Sequence, residues 1–287
     1  MSLIKIISDS TADIPKNIQE EYDITVLPLT IIDGDAEYTD GVTMSPDEFY
    51  DILETCEKIP SSSRVAPGLF TQAYVDAWKN GYTDLIYVAL NSKGSSTYHG
   101  AIMEMEDFYE ENPEAKETFC IHIVDSLTYS MCYGWAVISA AKMAKEGREI
   151  SEILESIDDW LKNTRAMFVP MNLKFVKKSG RVTAAAAFVG DALGLKPVIT
   201  FEDGESKVIS KIRGEKKVVS SLLDIVEGER KKGTPYFLVR GKNIELFEKY
   251  KAAAIERFGE EPEFVYPVGC IISINTGPDI LGIIYKR

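Results

Sequence analysis

Apolar residues along this chain come in two rhythms, short unbroken runs and longer three-to-four spaced stripes. Residues 4–8 form a short run that reads as a buried strand. Residues 85–90 form another, Leu85-Ile86-Tyr87-Val88-Ala89-Leu90, with no polar interruption. Between them, Asp13-Ile14-Pro15 predicts a helix start, with Asp13 near the cap and Pro15 in the first turn. Residues 24–32 predict a second strand, and Pro28 inside it places that strand near a sheet edge. Ser45-Pro46-Asp47-Glu48 predicts a capped helix that turns Phe49, Ile52 and Leu53 inward. A loop over 59–67 leads to a helix across Phe70, Tyr74 and Trp78. After the 85–90 strand the pattern predicts a helix over 96–109, a strand over 119–124 and a helix over 128–145. Strands alternating with helices predict a parallel sheet covered on both faces.

Beyond residue 150 the pattern changes. A helix over 150–163 leads to a short strand, 166–169. Residues 173–178 predict one or two helical turns closed by Gly180. Residues 183–195 are apolar and small, including Ala184-Ala185-Ala186-Ala187. Strands over 198–201 and 207–212 flank Asp203-Gly204, a hairpin turn. A helix over 215–230, a strand over 236–240, a helix over 244–257 and a strand over 264–268 follow. A final pair of strands is expected around Thr276-Gly277-Pro278. The predicted class is α/β with two α/β domains. The first, residues 1–160, is a three-layer parallel-sheet domain; the second, 161–287, has a mixed sheet with helices.

Composition narrows the function. The 287 residues are 45% hydrophobic and 27% charged, enough for two ordinary cores. A net charge of -13 repels phosphate backbones and argues against a nucleic-acid partner. The charge is uneven. Residues 101–119 carry seven acids and one lysine, a solvated helix face, whereas 171–217 carry ten basic side chains against five acids. The basic stretch is a candidate docking face for an acidic or phosphate-bearing partner. No apolar run approaches the ~20 residues of a membrane span, and no signal-peptide pattern opens the chain. Cys56, Cys120, Cys132 and Cys270 form no CxxC pair, so neither a zinc nor a thioredoxin-type site is indicated, and Cys120 and Cys270 read as small core residues. These features fit a reducing cytoplasm. Without an obvious exposed apolar stripe, a monomer is expected.

Candidate chemistry is sparse. Of the two histidines, His99 reads as a surface or groove-lining residue and His122 as a packed strand residue, and no GxSxG elbow exists for a triad hydrolase. No carboxylate cluster has metal-ligand spacing; Asp9 with Asp13, and Asp33 with Asp35, read as cap and turn residues. The stretch Leu90-Asn91-Ser92-Lys93-Gly94-Ser95-Ser96-Thr97 leaves a strand and enters a helix. Its backbone donors suit an anion, yet it lacks the GxxxxGK and GxGxxG spacings, and an ordinary cap at Ser95 or Ser96 explains it more simply. Ser61-Ser62-Ser63-Arg64-Val65-Ala66-Pro67 is a second hydroxyl-rich loop before a helix. Ile274-Asn275-Thr276-Gly277-Pro278-Asp279 reads as a polar turn between two apolar strands.

Taken together, seven stretches in order resemble the DegV family of bacterial fatty-acid-binding proteins. They are Ser8-Asp9-Ser10-Thr11-Ala12-Asp13-Ile14-Pro15; the 62–70 loop; the 90–101 stretch, against a family SSGLSGTYQSA; Val124-Asp125-Ser126; Leu173-Lys174-Phe175-Val176-Lys177-Lys178-Ser179-Gly180-Arg181-Val182, against LKFLKKGGRI; Lys211-Ile212-Arg213-Gly214-Glu215-Lys216-Lys217; and Asn275-Thr276-Gly277-Pro278, against HTGPG. The resemblance implies a long-chain fatty acid between two domains, its tail in an apolar tunnel and its carboxylate on hydroxyls; the small residues of 183–195 either leave room beside them for such a chain or form ordinary core. It implies a carrier rather than an enzyme, with no cofactor and no metal. A separate fatty acid kinase would phosphorylate the bound carboxylate, and the acyl phosphate would enter phospholipid synthesis. The family's carboxylate-binding threonine falls on Ser62, the serine of its SGT on Ser95, and the histidine of its HTGPG on Asn275. Both serines keep a hydroxyl donor. Asparagine donates through its amide but carries no charge near neutral pH. Lys177, Lys178, Arg181, Arg213, Lys216 and Lys217 would suit a kinase-docking face, with Arg181 and Arg213 foremost. The rival readings are a small-molecule phosphotransferase and a binder of another small carboxylate, using the same loops.

Overall fold

The computed structural model describes residues 3–186 and 194–287. They form two compact units. The first comprises residues 1–31, 37–42 and 62–162; the second comprises 32–36, 43–61 and 163–287. The chain therefore leaves the second unit for the last time at Ser61 and re-enters it after Lys162. Residues 43–61, expected with the first domain, belong to the second.

The strands of the N-terminal half are β1 (Ile4–Asp9), β2 (Thr25–Leu27), β3 (Thr30–Asp33), β4 (Ala36–Thr39), β5 (Ser61–Ser63), β6 (Asp84–Ala89) and β7 (Cys120–Asp125). The sheet of the first unit runs β2-β1-β6-β7 and is parallel throughout. Pro28 ends β2, the edge strand, and the chain resumes as β3 in a separate three-stranded sheet of order β4-β3-β5. Leu85, Ile86, Tyr87, Val88 and Ala89 are all buried, which requires cover on both faces of the sheet. Helix Met131–Lys145 packs on β1; helix Thr97–Glu111 packs on β7 and on helix Pro67–Lys79. Alanines supply much of the close-packed face of Met131–Lys145: Ala136, Ala140 and Ala141 are buried.

The second unit contains β8 (Thr164–Pro170), β9 (Leu195–Glu202), β10 (Glu205–Arg213), β11 (Tyr236–Arg240), β12 (Phe264–Pro267) and β13 (Ile280–Lys286). Its six-stranded sheet has the order β10-β9-β8-β13-β11-β12. Every pairing is antiparallel except β11 with β12, so the sheet is mixed, as the sequence predicts. Asp203 (φ 51°) and Gly204 (φ 77°) are both left-handed and close the β9–β10 hairpin with a two-residue turn. Leu222 and Val226 of helix Val218–Glu229 and Phe247 and Tyr250 of helix Ile244–Phe258 pack on Leu238, Leu281 and Ile283 of the sheet.

Side-chain chemistry explains why residues 43–61 join this unit. Helix Pro46–Thr55 begins with a complete Ser45–Glu48 capping box. It buries Phe49, Tyr50 and Leu53, and the Tyr50 hydroxyl donates to the Val268 carbonyl at 2.5 Å. Arg240 grips Asp47 through two 2.8 Å bonds, and Lys242 reaches Asp51 at 2.6 Å and Glu54 at 2.5 Å.

Three local expectations are corrected. Asp13 does not start the helix Lys16–Glu21, whose cap position is Pro15; it ends the single 3-10 turn Ser10–Ala12 in a left-handed conformation (φ 54°). The residues around Thr276 are not a strand pair with a polar turn. Cys270–Thr276 is a helix ended by Gly277 at φ 89°, and β13 follows. Cys120 is exposed at the start of the edge strand β7, where Cys270 is buried as expected. Of the apolar stretch 183–195, helix Thr183–Ala186 is observed and residues 187–193 lie outside the described residues. No helix among the described residues is long and apolar enough to cross a membrane.

Candidate functional site

In the first unit, three loops emerge at the carboxyl ends of β1, β6 and β7, the end of a parallel sheet where ligands collect. Asp9, at the end of β1, organises them. Its Oδ1 accepts from the Thr11 amide at 3.2 Å, from the Thr11 hydroxyl and from the Tyr133 hydroxyl at 2.7 Å. Its Oδ2 accepts from the Tyr87 hydroxyl at 3.0 Å and from the Leu90 amide at 3.0 Å. One fully buried carboxylate thus joins the end of β1, the end of β6 and helix Met131–Lys145. Burial pushes the Asp9 carboxyl above its usual range, against the pull of these hydrogen bonds. Burial, with the adjacent Asp9 charge, raises the Tyr87 and Tyr133 hydroxyls too, so both remain donors.

The 90–97 loop is shaped by a second set of bonds. Asp125, at the end of β7, accepts from the Ser92 and Leu127 amides, each at 3.1 Å. Asn91 is buried; its Oδ1 accepts from the Lys93 amide at 3.1 Å and its carbonyl accepts from the Gly94 and Ser95 amides at 3.0 and 3.1 Å. A Cβ on Gly94 would lie 2.0 Å from the Tyr129 hydroxyl oxygen, so only glycine fits there without displacing that ring. This scaffold delivers Ser95, half-buried, to the start of helix Thr97–Glu111. The Ser95 hydroxyl accepts from the Thr97 amide at 3.2 Å and lies 2.8 Å from the Thr97 hydroxyl. Ser96 occupies the cap position without a side-chain cap bond, so Ser95 does the capping.

Ser62 sits half-buried on β5, and Arg64 follows it. The Arg64 guanidinium lies over Gly100, where an added Cβ would be 2.8 Å from Nη1. A positive group from the Ser62 loop therefore rests one turn into the helix that Ser95 opens. In the second unit, Asn275 is half-buried in helix Cys270–Thr276 and its amide donates to the Ile271 carbonyl at 2.9 Å. Arg181 and Arg213 are exposed. Arg181 follows helix Leu173–Ser179 and its Nη1 donates to the Ser179 carbonyl at 3.2 Å; Arg213 ends β10. A cavity of about 430 Å³ in this unit is lined by Asn172, Lys196, Glu215, Asn243 and Asp279 among others, a polar lining unsuited to an acyl chain.

A family model described as an uncharacterised DegV family protein matches residues 3–287. The chain belongs to the DegV family. A DegV domain-containing protein of Caldanaerobacter subterraneus subsp. tengcongensis is 32% identical over the whole of both chains. One from Clostridium acetobutylicum is 30% identical, again over the whole of both. Among solved structures, the fold matches a fatty-acid-binding DegV family protein of Thermus thermophilus with a TM-score of 0.86, 25% identity and 99% coverage of each chain. A DegV lipid-binding protein of Thermotoga maritima matches with a TM-score of 0.80 and 26% identity, over 100% of this chain and 99% of that one. The DegV fold accounts for a parallel-sheet unit and a mixed-sheet unit in one chain. The DegV motifs Ser8–Asp13, 90–97 and Val124-Asp125-Ser126 are the three loops that Asp9 and Asp125 tie together. Sequence reasoning gave Asp9 only a capping role, and a cap it is. The further pull of Tyr87 and Tyr133 on it comes from distant positions, and their spacing carries no local signal.

Proposed function

We propose that this chain binds a long-chain fatty acid and presents it to a separate fatty acid kinase. The Ser62 and Ser95 hydroxyls and the Asn275 amide hold the carboxylate, an apolar tunnel holds the tail, and Arg181 and Arg213 lie on the surface that meets the kinase. The kinase then forms the acyl phosphate in the cytoplasm, and this chain acts as a monomeric carrier. The observation that carries the reading is the built loop at Ser95, a hydroxyl fixed at a helix start by buried Asp9 and Asn91. A DegV family protein of Thermus thermophilus and a protein of Thermotoga maritima, both of similar fold and both described as fatty-acid-binding, support it.

The chemistry suits such a ligand. Each buried methylene contributes about 0.8 kcal/mol, so the tail supplies most of the affinity. The head needs donors because a buried unpaired carboxylate is costly. Hydroxyls at a helix N-terminus meet that need, and Arg64 adds a positive field on the same helix. The test is a titration of oleate into Ser95→Ala and Ser62→Ala. Loss of one hydrogen bond to a charged group weakens binding by roughly 10- to 100-fold. Unchanged affinity in both variants rules out the assignment, and ATP turnover by this chain alone would favour a phosphotransferase instead.

A further inference from the structure

At the opposite, amino-terminal end of the parallel sheet, three side chains of different chemistry converge. Asp84 opens β6 and Cys120 opens the neighbouring β7, and the two are register partners. His122, two residues beyond Cys120, projects on the same face of the strand. A carboxylate oxygen, the thiol sulfur and an imidazole nitrogen of these residues all lie within 4.8 Å of one another. We propose that Asp84, Cys120 and His122 bind one zinc-class divalent cation, with water in the remaining coordination position.

The geometry is close to what such an ion needs. Bonds of about 2.0–2.3 Å to oxygen, nitrogen and sulfur set neighbouring ligand atoms of a tetrahedron roughly 3.3–3.8 Å apart. Asp84 Oδ1 and His122 Nε2 are 3.1 Å apart, close to one such edge, and the thiol sulfur lies within 4.8 Å of both. The Thr83 hydroxyl donates to Asp84 Oδ2 at 2.8 Å, the outer-sphere bond that fixes a ligating carboxylate. The Asp84 and His122 side chains are 14% and 25% exposed and Cys120 is on the surface, so an ion from solution has access. One carboxylate and one thiolate balance a divalent charge, and a mixed sulfur, nitrogen and oxygen set favours borderline ions such as Zn²⁺ and Co²⁺ over Mg²⁺ or Ca²⁺. The site stands apart from the proposed fatty-acid head group. The five steps of β6 from Asp84 to Ala89 separate them by about 16 Å at 3.3 Å per residue.

The test is a Co²⁺ titration of the purified full chain after chelation and desalting, followed by visible and near-ultraviolet absorption. A saturable one-equivalent spectrum is expected, with tetrahedral d–d bands and a thiolate-to-cobalt charge-transfer band, bleached by added Zn²⁺. Cys120→Ser should abolish the charge-transfer band, and Cys56→Ser should retain it. His122→Gln and Asp84→Asn should each weaken Co²⁺ binding about tenfold or more. Circular dichroism checks that the variants fold, and exposed Cys120 makes that variant the safest. The proposal is overturned by the absence of a charge-transfer band in the wild type, or by a band that survives Cys120→Ser or is indifferent to both other substitutions.

Discussion

Two glycines of the first unit offer a matched pair of perturbations. Gly134 is the fourth residue of helix Met131–Lys145 and Gly100 the fourth residue of helix Thr97–Glu111. Replacing either by alanine should gain about 0.8–1.0 kcal/mol of helix propensity. What the new methyl meets decides the outcome. At Gly134 it lies 2.3 Å from the Ala12 carbonyl oxygen and 3.1 Å from Met131 Sδ. Ordinary contact begins at 3.4 Å, and the oxygen is backbone, in the turn that follows Asp9. The helix or the turn must move by roughly 1 Å, an overpacking that costs about 1–3 kcal/mol. At Gly100 the close atom is Arg64 Nη1 at 2.8 Å, the free end of a flexible side chain that can swing aside. We expect Gly134→Ala to lose about 1 kcal/mol net and Gly100→Ala to gain up to about 1 kcal/mol. At about 2–4 °C per kcal/mol, their melting temperatures should differ by roughly 4–8 °C, on opposite sides of the wild type. Differential scanning calorimetry measures this directly. Equal shifts, or a Gly134→Ala protein that melts above the wild type, would refute the reasoning.

Two carboxylates, buried Asp9 and exposed Asp47, give further outcomes. Tyr133→Phe removes the 2.7 Å bond to buried Asp9 and should destabilise the protein by about 1.5–3 kcal/mol in urea, with Tyr87→Phe acting in the same direction. The Arg240 guanidinium holds the Asp47 carboxyl below its usual range, so this pair contributes stability above the ordinary carboxylate pKa that is lost as pH falls through the depressed value. Because Asp47 is largely exposed, Asp47→Asn should cost only about 0.2–1 kcal/mol at neutral pH, and urea midpoints of variant and wild type should converge in acid.

Much of the architecture was legible because its signals are local. The Ser45–Glu48 box, the Asp203-Gly204 turn and the Gly180 helix stop each lie within a few residues, and the structure places all three where the pattern does. Pro28 marks a real break for the same reason: it has no amide to give to a ladder. The misreadings share a cause in tertiary context. Apolar runs of Cys270–Thr276 length suit strand and short helix equally, and packing alone selects the helix. Asp13 looks like a cap before Pro15 until the Ser130 hydroxyl, far along the chain, is seen to donate to its carboxylate. The partners that hold 43–61 in the second unit, Val268 for Tyr50 and Arg240 and Lys242 for Asp47, Asp51 and Glu54, lie roughly two hundred residues away, and no window of sequence reports them. The candidate hydroxyls at Ser62 and Ser95 were found through motif order. Asp9, Asp125 and Arg64 act through partners brought in by the sheet.

The last strand of the described chain, β13, lies between β8 and β11 near the middle of its sheet. During synthesis, then, β8 and β11 have no common neighbour until residues 280–286 emerge. Helix Pro46–Thr55, whose buried face is Phe49, Tyr50 and Leu53, is made early and packs with residues made late. At about 5–20 residues per second that face waits roughly 10–45 s for its unit to be completed. The first unit has all its segments once Lys162 is out. The apolar side of this otherwise acidic segment therefore stays open to wrong partners after every residue of the first unit has been made.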